Sequence, residues 1–107
     1  MVRCNRSGGP DSDLAIDLRD SRAGVQLVEH VSAAHGRLDG VVVAAGIVAF
    51  GDLGDTDDVV IEELFLTNAL GPMWLAKHVA GAQRESQGIF VNLSGVVAES
   101  PRPGMAA

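Results

Sequence analysis

The sequence predicts an α/β fold built on a parallel sheet, with about three strands and two flanking helices. One observation is the strand pattern around Val41–Val43, where three consecutive valines follow Gly40. A short run that is apolar at every position is typical of a strand buried on both faces. The other is the alternation of strand and helix patterns along the chain, which indicates βαβ units. We expect one domain, irregular over 1–12, βαβαβ over 13–94 and a loop over 95–107.

The first half of the pattern is a strand followed by a helix. The strand is expected at 13–18 and the helix at 22–35, with Ser21 as its N-cap. Gly36 is expected to end this helix, because glycine readily adopts the left-handed conformation that closes a helix. The next strand is expected over 38–45.

The second half contains a long helix at 58–83, which leads to a last strand at 89–94. Pro72 has no N–H, so the carbonyl of Asn68 loses its helical partner and we expect a kink near Pro72. The pattern places Asn68 on the inward face, where its unpaired polar groups would need a partner. That partner is either structural water or a ligand. A second apolar strip on this helix comprises Leu66, Leu70, Met73 and Trp74.

Composition narrows the possible functions. The 107 residues carry a net charge of −6 with the basic residues scattered, which argues against nucleic-acid binding. The longest apolar stretch, 41–50, is too short for a membrane span, and the N-terminus lacks the pattern of a secretory signal. One cysteine cannot form an internal disulfide. The three histidines lack the spacing of metal ligands. We therefore expect a cytoplasmic protein with no metal site and no membrane or nucleic-acid partner.

Candidate site residues follow the strands. In an open α/β sheet, ligands bind beyond the carboxyl ends of the strands. Those ends carry Asp17-Leu18, Ala44-Ala45-Gly46 and Asn92-Leu93-Ser94-Gly95. Small residues at two of these ends would let a flat cofactor approach the backbone closely.

Taken in order, these segments resemble the short-chain dehydrogenase/reductase family, with its Rossmann-type sheet. The resemblance covers 13–107 and rests on five segments in family order: Asp17-Leu18, 38–46, Asn68-Ala69-Leu70-Gly71-Pro72, 91–94 and Pro103-Gly104-Met105-Ala106-Ala107. It implies an NAD- or NADP-dependent oxidoreductase that reduces carbonyls or oxidises alcohols. Asn5 and Arg6 slightly favour NADP over NAD, since an arginine can bind the 2′-phosphate of NADP.

The resemblance also implies roles for individual residues. Asp17 and Leu18 would bind the adenine end of the cofactor, and Ala44, Ala45 and Gly46 would form the cofactor loop that is Asn-Ala-Gly in the family. Asn68 would be the tetrad asparagine that holds a proton-relay water. Ser94 would stand near the catalytic serine, although strict counting places that serine on Gly95.

Some family elements have no counterpart among these residues. A Thr-Gly-x-x-x-Gly-x-Gly loop for the phosphates is missing, and there is no tyrosine for the Tyr-x-x-x-Lys pair. We therefore expect the isolated chain to be inactive and its cofactor binding to be weak. The strand over 14–18 is expected to pair away from its family neighbours or to fray. An alternative function is non-catalytic, with the strip of Leu66, Leu70, Met73 and Trp74 mediating self-association or partner binding. A third possibility is a chain that is unstable alone and has no function.

Overall fold

The computed structural model describes residues 1–93 and Pro103. Its strands are β1 (Cys4–Asn5), β2 (Leu14–Ala15), β3 (Gly40–Val43) and β4 (Ile89–Asn92). Its helices are α1 (Ala23–His35), α2 (Asp58–Phe65) and α3 (Gly71–Ser86). A π-helical turn, Leu66–Leu70, joins α2 to α3, and a short 3₁₀ turn, Leu53–Asp55, lies in the segment after β3.

The α/β class with parallel strands is confirmed, but the strands form two separate pairs. β1 pairs with β2 and β3 pairs with β4, both in parallel. The structure adds one short strand, Cys4–Asn5, within the segment 1–12 that the sequence predicts to be irregular. The strand predicted over 13–18 is shorter than expected, because a turn closed by the bond from the Asp20 N–H to the Asp17 carbonyl begins soon after Ala15.

Helix α1 ends where the sequence predicts and begins differently. Gly36 adopts a φ of 77° and its N–H bonds to the Ser32 carbonyl, which terminates the helix. Ser21 is not the N-cap. The N-cap is Arg22, whose side chain makes no capping bond. Its N–H donates to the Asp20 carboxylate at 2.8 Å, and the Ala23 N–H donates to the Asp20 carbonyl.

The long helix runs without a break from α2 through the π turn into α3. The predicted distortion near Pro72 takes the form of this π turn, in which the Gly71 N–H bonds to the Leu66 carbonyl five residues back. A proline in a helix cannot donate to the carbonyl four residues before it, so a wider turn relieves the mismatch. One extra residue also rotates the helix faces by about 100°. A helical face that is predicted with the regular period of the α-helix is therefore not continuous across the π turn.

The core lies between the helices and the β3–β4 pair. It consists of Leu27, Val31, Leu38, Val43, Leu75 and Val79, with Val79 fully buried. Helices α1 and α3 approach closely at Gly24, where an added Cβ would lie 2.7 Å from the Cβ of His78. Leu14 and Leu18 also pack against this core, so the small β1–β2 pair rests on the same helices.

The long helix also meets the length and composition of a membrane span. Over Asp58–Arg84 its most apolar window has a mean hydropathy of 1.2 and is 22 % buried. Its α3 part packs on α1 through Leu75 and Val79, as expected of an amphipathic helix at the edge of a core.

Candidate functional site

The carboxylate of Asp17 follows β2 and is held by Arg19. The Arg19 backbone N–H donates to Oδ1 at 3.0 Å, and its Nη2 donates to Oδ2 at 2.7 Å. Arg19 Nε lies 3.1 Å and 3.2 Å from the two carboxylate oxygens. Arg19 Nη1 extends to Glu63 Oε1 at 3.4 Å, which links the end of β2 to helix α2.

These contacts also set the charge of the pair. Hydrogen bonds from Arg19 lower the pKa of Asp17, and the positive charges of Arg19 and Arg6 act in the same direction. Asp17 in turn raises the pKa of Arg19. Asp17 is therefore an ionised acceptor at neutral pH, with about a third of its side chain exposed.

Leu18 lies directly against the start of α3. A Cβ placed on Gly71 would lie 2.6 Å from the Leu18 carbonyl oxygen and 2.8 Å from the Leu18 Cβ. Contacts that short do not occur between real atoms, so glycine is the residue that lets the end of β2 reach the helix here. The chain after β2 is thereby fixed next to the π turn.

Asn68 holds the loop after β3. Its Oδ1 accepts a hydrogen bond from the Ile47 N–H at 2.9 Å, and its Nδ2 donates to the Ile47 carbonyl at 2.7 Å. Gly46 permits this approach, since a Cβ there would lie 3.3 Å from Asn68 Oδ1. The prediction of an inward Asn68 with an unpaired amide was wrong: the residue is exposed and the Ile47 backbone satisfies the amide. The π turn accounts for the change of face.

The remaining predicted site residues divide into two groups. Ala44 and Ala45 lie directly after β3 and are exposed, in the stretch that leads to the loop held by Asn68. Ser94, and Gly95 as its alternative, lie outside the described residues.

The described part of the site is thus organised around the π turn. Asn68 fixes the loop after β3, Gly71 receives the end of β2, and Glu63 on α2 reaches Arg19. Arg19, Ile47 and the packing role of Gly71 are not predicted from the sequence. The Asp-x-Arg spacing was the available signal for Arg19, whereas Ile47 acts through its backbone and leaves no side-chain signal.

Elsewhere in the described residues, side chains and depressions give weaker support for a functional site. No three His, Cys, Asp or Glu side chains within them are placed to hold a metal ion. Burial raises the pKa of the Cys4 thiol, and the neighbouring Asp13 raises it further, which disfavours the reactive thiolate. A depression of about 510 Å³ lies at the C-terminal ends of α1 and α3, lined in part by Arg37, Leu38 and Ser86. It is at the end of the sheet where β3 begins, away from the residues described above.

The model of the short chain dehydrogenase family matches residues 4–107, nearly the whole chain. The chain belongs to the short-chain dehydrogenase family. An oxidoreductase from Thermotoga maritima of uncharacterised activity is 33 % identical over 70 residues, which are 64 % of this chain and 28 % of that protein.

Solved structures agree with this assignment. The KRED1-Pglu enzyme superposes with a TM-score of 0.80 at 25 % identity, over 86 % of this chain and 39 % of that one. ElxO with NADP bound superposes with a TM-score of 0.76 at 28 % identity, over 86 % and 38 %. The chain therefore spans well under half of the length of these relatives. The partial Rossmann-type fold and the oxidoreductase family are established by these matches, and a nicotinamide cofactor is the family's cofactor.

The described residues fit one end of such a cofactor. Asp17 is an ionised, partly exposed acceptor, suited to the amino group of adenine, and Gly46 adds no side chain to the loop after β3 where that loop meets Asn68. Together they offer a polar contact and a close backbone approach beyond two strand ends that are both held next to the π turn.

Proposed function

We propose that this chain forms the adenine end and the central part of a nicotinamide-dinucleotide site in an oxidoreductase acting on carbonyls or alcohols. The observation that carries the proposal is the convergence of the ends of β2 and β3 on the π turn, through Leu18 against Gly71 and Ile47 on Asn68. When bound, the nicotinamide ring exchanges a hydride with the substrate.

In this proposal each residue has a binding or positioning role. Asp17 accepts a hydrogen bond from the adenine amino group, and the backbone at Leu18 borders the base. Ala44, Ala45 and Gly46 have small side chains or none, and the cofactor lies against their backbone. Asn68 holds the segment after β3 in place through both of its hydrogen bonds to the Ile47 backbone. Ser94 stays a proposed substrate contact.

The proposal includes weak binding by the isolated chain. Dinucleotide phosphates are normally held by a Gly-rich loop at a helix N-terminus, and the 107 residues contain no such loop and no tyrosine to donate a proton. We expect no saturable binding of NADH or NADPH below millimolar concentrations and no turnover. Both cofactors stay candidates, and the structure of ElxO with NADP describes that protein's choice.

A titration of the purified chain with NADH and NADPH, followed by cofactor fluorescence and a thermal melt, tests this. Saturation at millimolar cofactor that Asp17→Asn weakens supports the proposal. The matched control is Asp11→Asn, which removes the same charge from an exposed turn. An equal effect of both variants would show non-specific charge effects and count against the site. Tight binding would contradict the expectation for the isolated chain.

A second function is favoured by the exposed part of the apolar strip. Met73 is 67 % exposed and Leu70 is 39 % exposed, whereas Leu66 and Trp74 are half-buried beside them. We propose that the exposed part of this strip, Met73 near the start of α3 with Leu70 at the end of the π turn, joins two copies of the chain, because large exposed apolar side chains favour association.

Light scattering after size-exclusion chromatography tests self-association. Met73→Gln is expected to shift the chain towards the monomer. Ala80→Gln, which makes a similar change at another exposed position of α3, is expected to leave the oligomeric state unchanged. A wild-type monomer at high protein concentration would exclude this second function.

A further inference from the structure

The acceptor capacity of Asp17 is almost fully used within the described residues. An ionised carboxylate offers about four lone-pair sites. Three N–H groups of Arg19 occupy them: the backbone N–H on Oδ1, Nη2 on Oδ2, and Nε between the two oxygens. About one acceptor direction is left, on a side chain that is about a third exposed.

Arg19 is itself fixed from a second element. Its Nη1 reaches Glu63 Oε1 on α2 at 3.4 Å, so the guanidinium bridges the turn after β2 and the long helix. A guanidinium has a planar, rigid set of donors, and a carboxylate gripped by it has a defined orientation. The remaining acceptor direction of Asp17 is therefore fixed relative to Leu18 and the π turn.

We propose that Arg19 is a positioning residue that leaves one oriented acceptor on Asp17 and thereby selects a purine with a 6-amino group over one with a 6-oxo group. The proposal rests on the adenine-end site proposed above and deepens it. A 6-amino group offers the single N–H that the open lone pair can accept. A 6-oxo group places an acceptor against a carboxylate, which is repulsive. Glu63 supports the selection by holding Arg19.

The test compares 5′-AMP with 5′-IMP, which differ at that group. Binding to the isotopically labelled full chain is followed through the amide signals of Leu18 and Arg19. Wild type is expected to prefer 5′-AMP by about tenfold, the size of one hydrogen bond to a charged group. Arg19→Met is expected to reduce the preference to about threefold or less, because the freed carboxylate rotates and is hydrated. Arg22→Met, at an exposed arginine on the next turn, is the matched control and is expected to keep the preference.

A pH series supplies a readout that a merely structural role would not change. The charged groups around Asp17 are Arg19, Arg6 and, through Arg19, Glu63. Since Arg19 lowers the pKa of Asp17, the preference for 5′-AMP in Arg19→Met is expected to disappear at a higher pH than in wild type. Glu63→Gln keeps the Arg19–Asp17 contacts but removes the ion pair that holds the guanidinium from α2, so it is expected to reduce the preference for 5′-AMP at neutral pH by less than Arg19→Met does. It also keeps the test valid if Arg19→Met fails to fold.

The outcomes separate this proposal from the proposed function. Equal losses of 5′-AMP and 5′-IMP affinity in Arg19→Met, with an unchanged ratio, would overturn the role of Arg19 and leave the site intact. A ratio of 5′-AMP to 5′-IMP affinity in Glu63→Gln that equals the wild-type ratio at every pH would also overturn the role of Arg19. If neither nucleotide perturbs Leu18 in wild type, the adenine-end site is wrong and this proposal with it.

Discussion

The two strand pairs differ in how they are held. The β3–β4 pair has four residues in each strand and supplies Val43, 3 % exposed, to the core between α1 and α3. The β1–β2 pair has two residues in each strand, and its contact with that core runs through residues such as Leu14 and Leu18. Isolated two-stranded sheets are marginal in water. Stability is therefore concentrated in the helices and β3–β4, whereas Asp17 follows the weaker pair and depends on Arg19 and Gly71 for its position.

Truncation of the helical core should have the largest effect. Leu75 is 4 % exposed in the core cluster. Leu75→Ala is expected to lower the free energy of unfolding by about 2–5 kcal/mol, because it leaves a cavity. Val59→Ala, at a position of α2 that is 64 % exposed, is the control and is expected to change it by less than about 0.5 kcal/mol. Denaturant unfolding followed by circular dichroism measures both free energies, and similar losses would show that Leu75 does not lie in a core that carries the stability of the helices.

The junction between the two regions should be the next most sensitive point. Gly71→Ala forces a Cβ to 2.6 Å from the Leu18 carbonyl, so the end of β2 must move. We expect a loss of about 1–3 kcal/mol from overpacking. Gly81→Ala adds the same methyl group to α3 in open space and is expected to stabilise by about 0.5–1 kcal/mol. A gain in stability from both variants would contradict the close approach at Gly71.

The loop after β3 should respond locally to loss of the Asn68 side chain. Asn68→Ala removes both hydrogen bonds to Ile47. Hydrogen exchange at the Ile47 amide is expected to accelerate about tenfold, with a small change in global stability, since the bonds are exposed. Thr67→Ala, in the same π turn, should leave that amide unchanged. Equal exchange rates in the two variants would mean that Asn68 does not hold the loop.

The smallest expected effect is the pH dependence of the β1–β2 end. Arg19 lowers the pKa of Asp17 in the folded chain. The stability contributed by this carboxylate is complete above the unfolded pKa, about 3.9, and is lost as pH falls through the lower folded pKa. Acid unfolding of Asp17→Asn is therefore expected to be less steep than that of wild type, and Asp11→Asn should match wild type. Identical acid-unfolding curves for Asp17→Asn and wild type would show that the Asp17–Arg19 pair does not contribute to stability.

Much of the fold follows from local sequence signals. Gly36 ends α1 because glycine tolerates a φ of 77°, and the three valines mark β3. The prediction that this strand is buried on both faces was wrong, since Val43 is buried but Val42 is 67 % exposed. The local pattern does not mark β1, because two residues between turns carry no periodicity. Its pairing with β2 is a tertiary event that a local pattern does not encode.

The candidate site was predictable where side chains carry the chemistry and not where the backbone does. Asp17 and Asn68 are polar residues at strand and helix positions that attract attention in a sequence. The direction of Asn68 was missed because the π turn shifts the helical period by a residue. The partner of Asn68 is the backbone of Ile47, and the role of Gly71 depends on the tertiary approach of Leu18.

We propose one site at the π turn, formed by the chain segments that follow β2 and β3. Amide chemical-shift mapping of the labelled chain at millimolar NADPH tests it most directly. We expect the largest changes at Leu18, Arg19 and Ile47, with little change at Arg37 and Ser86 beside the depression at the other end of the helices. Changes concentrated at Arg37 and Ser86, or changes at Leu18 without any at Ile47, would contradict it.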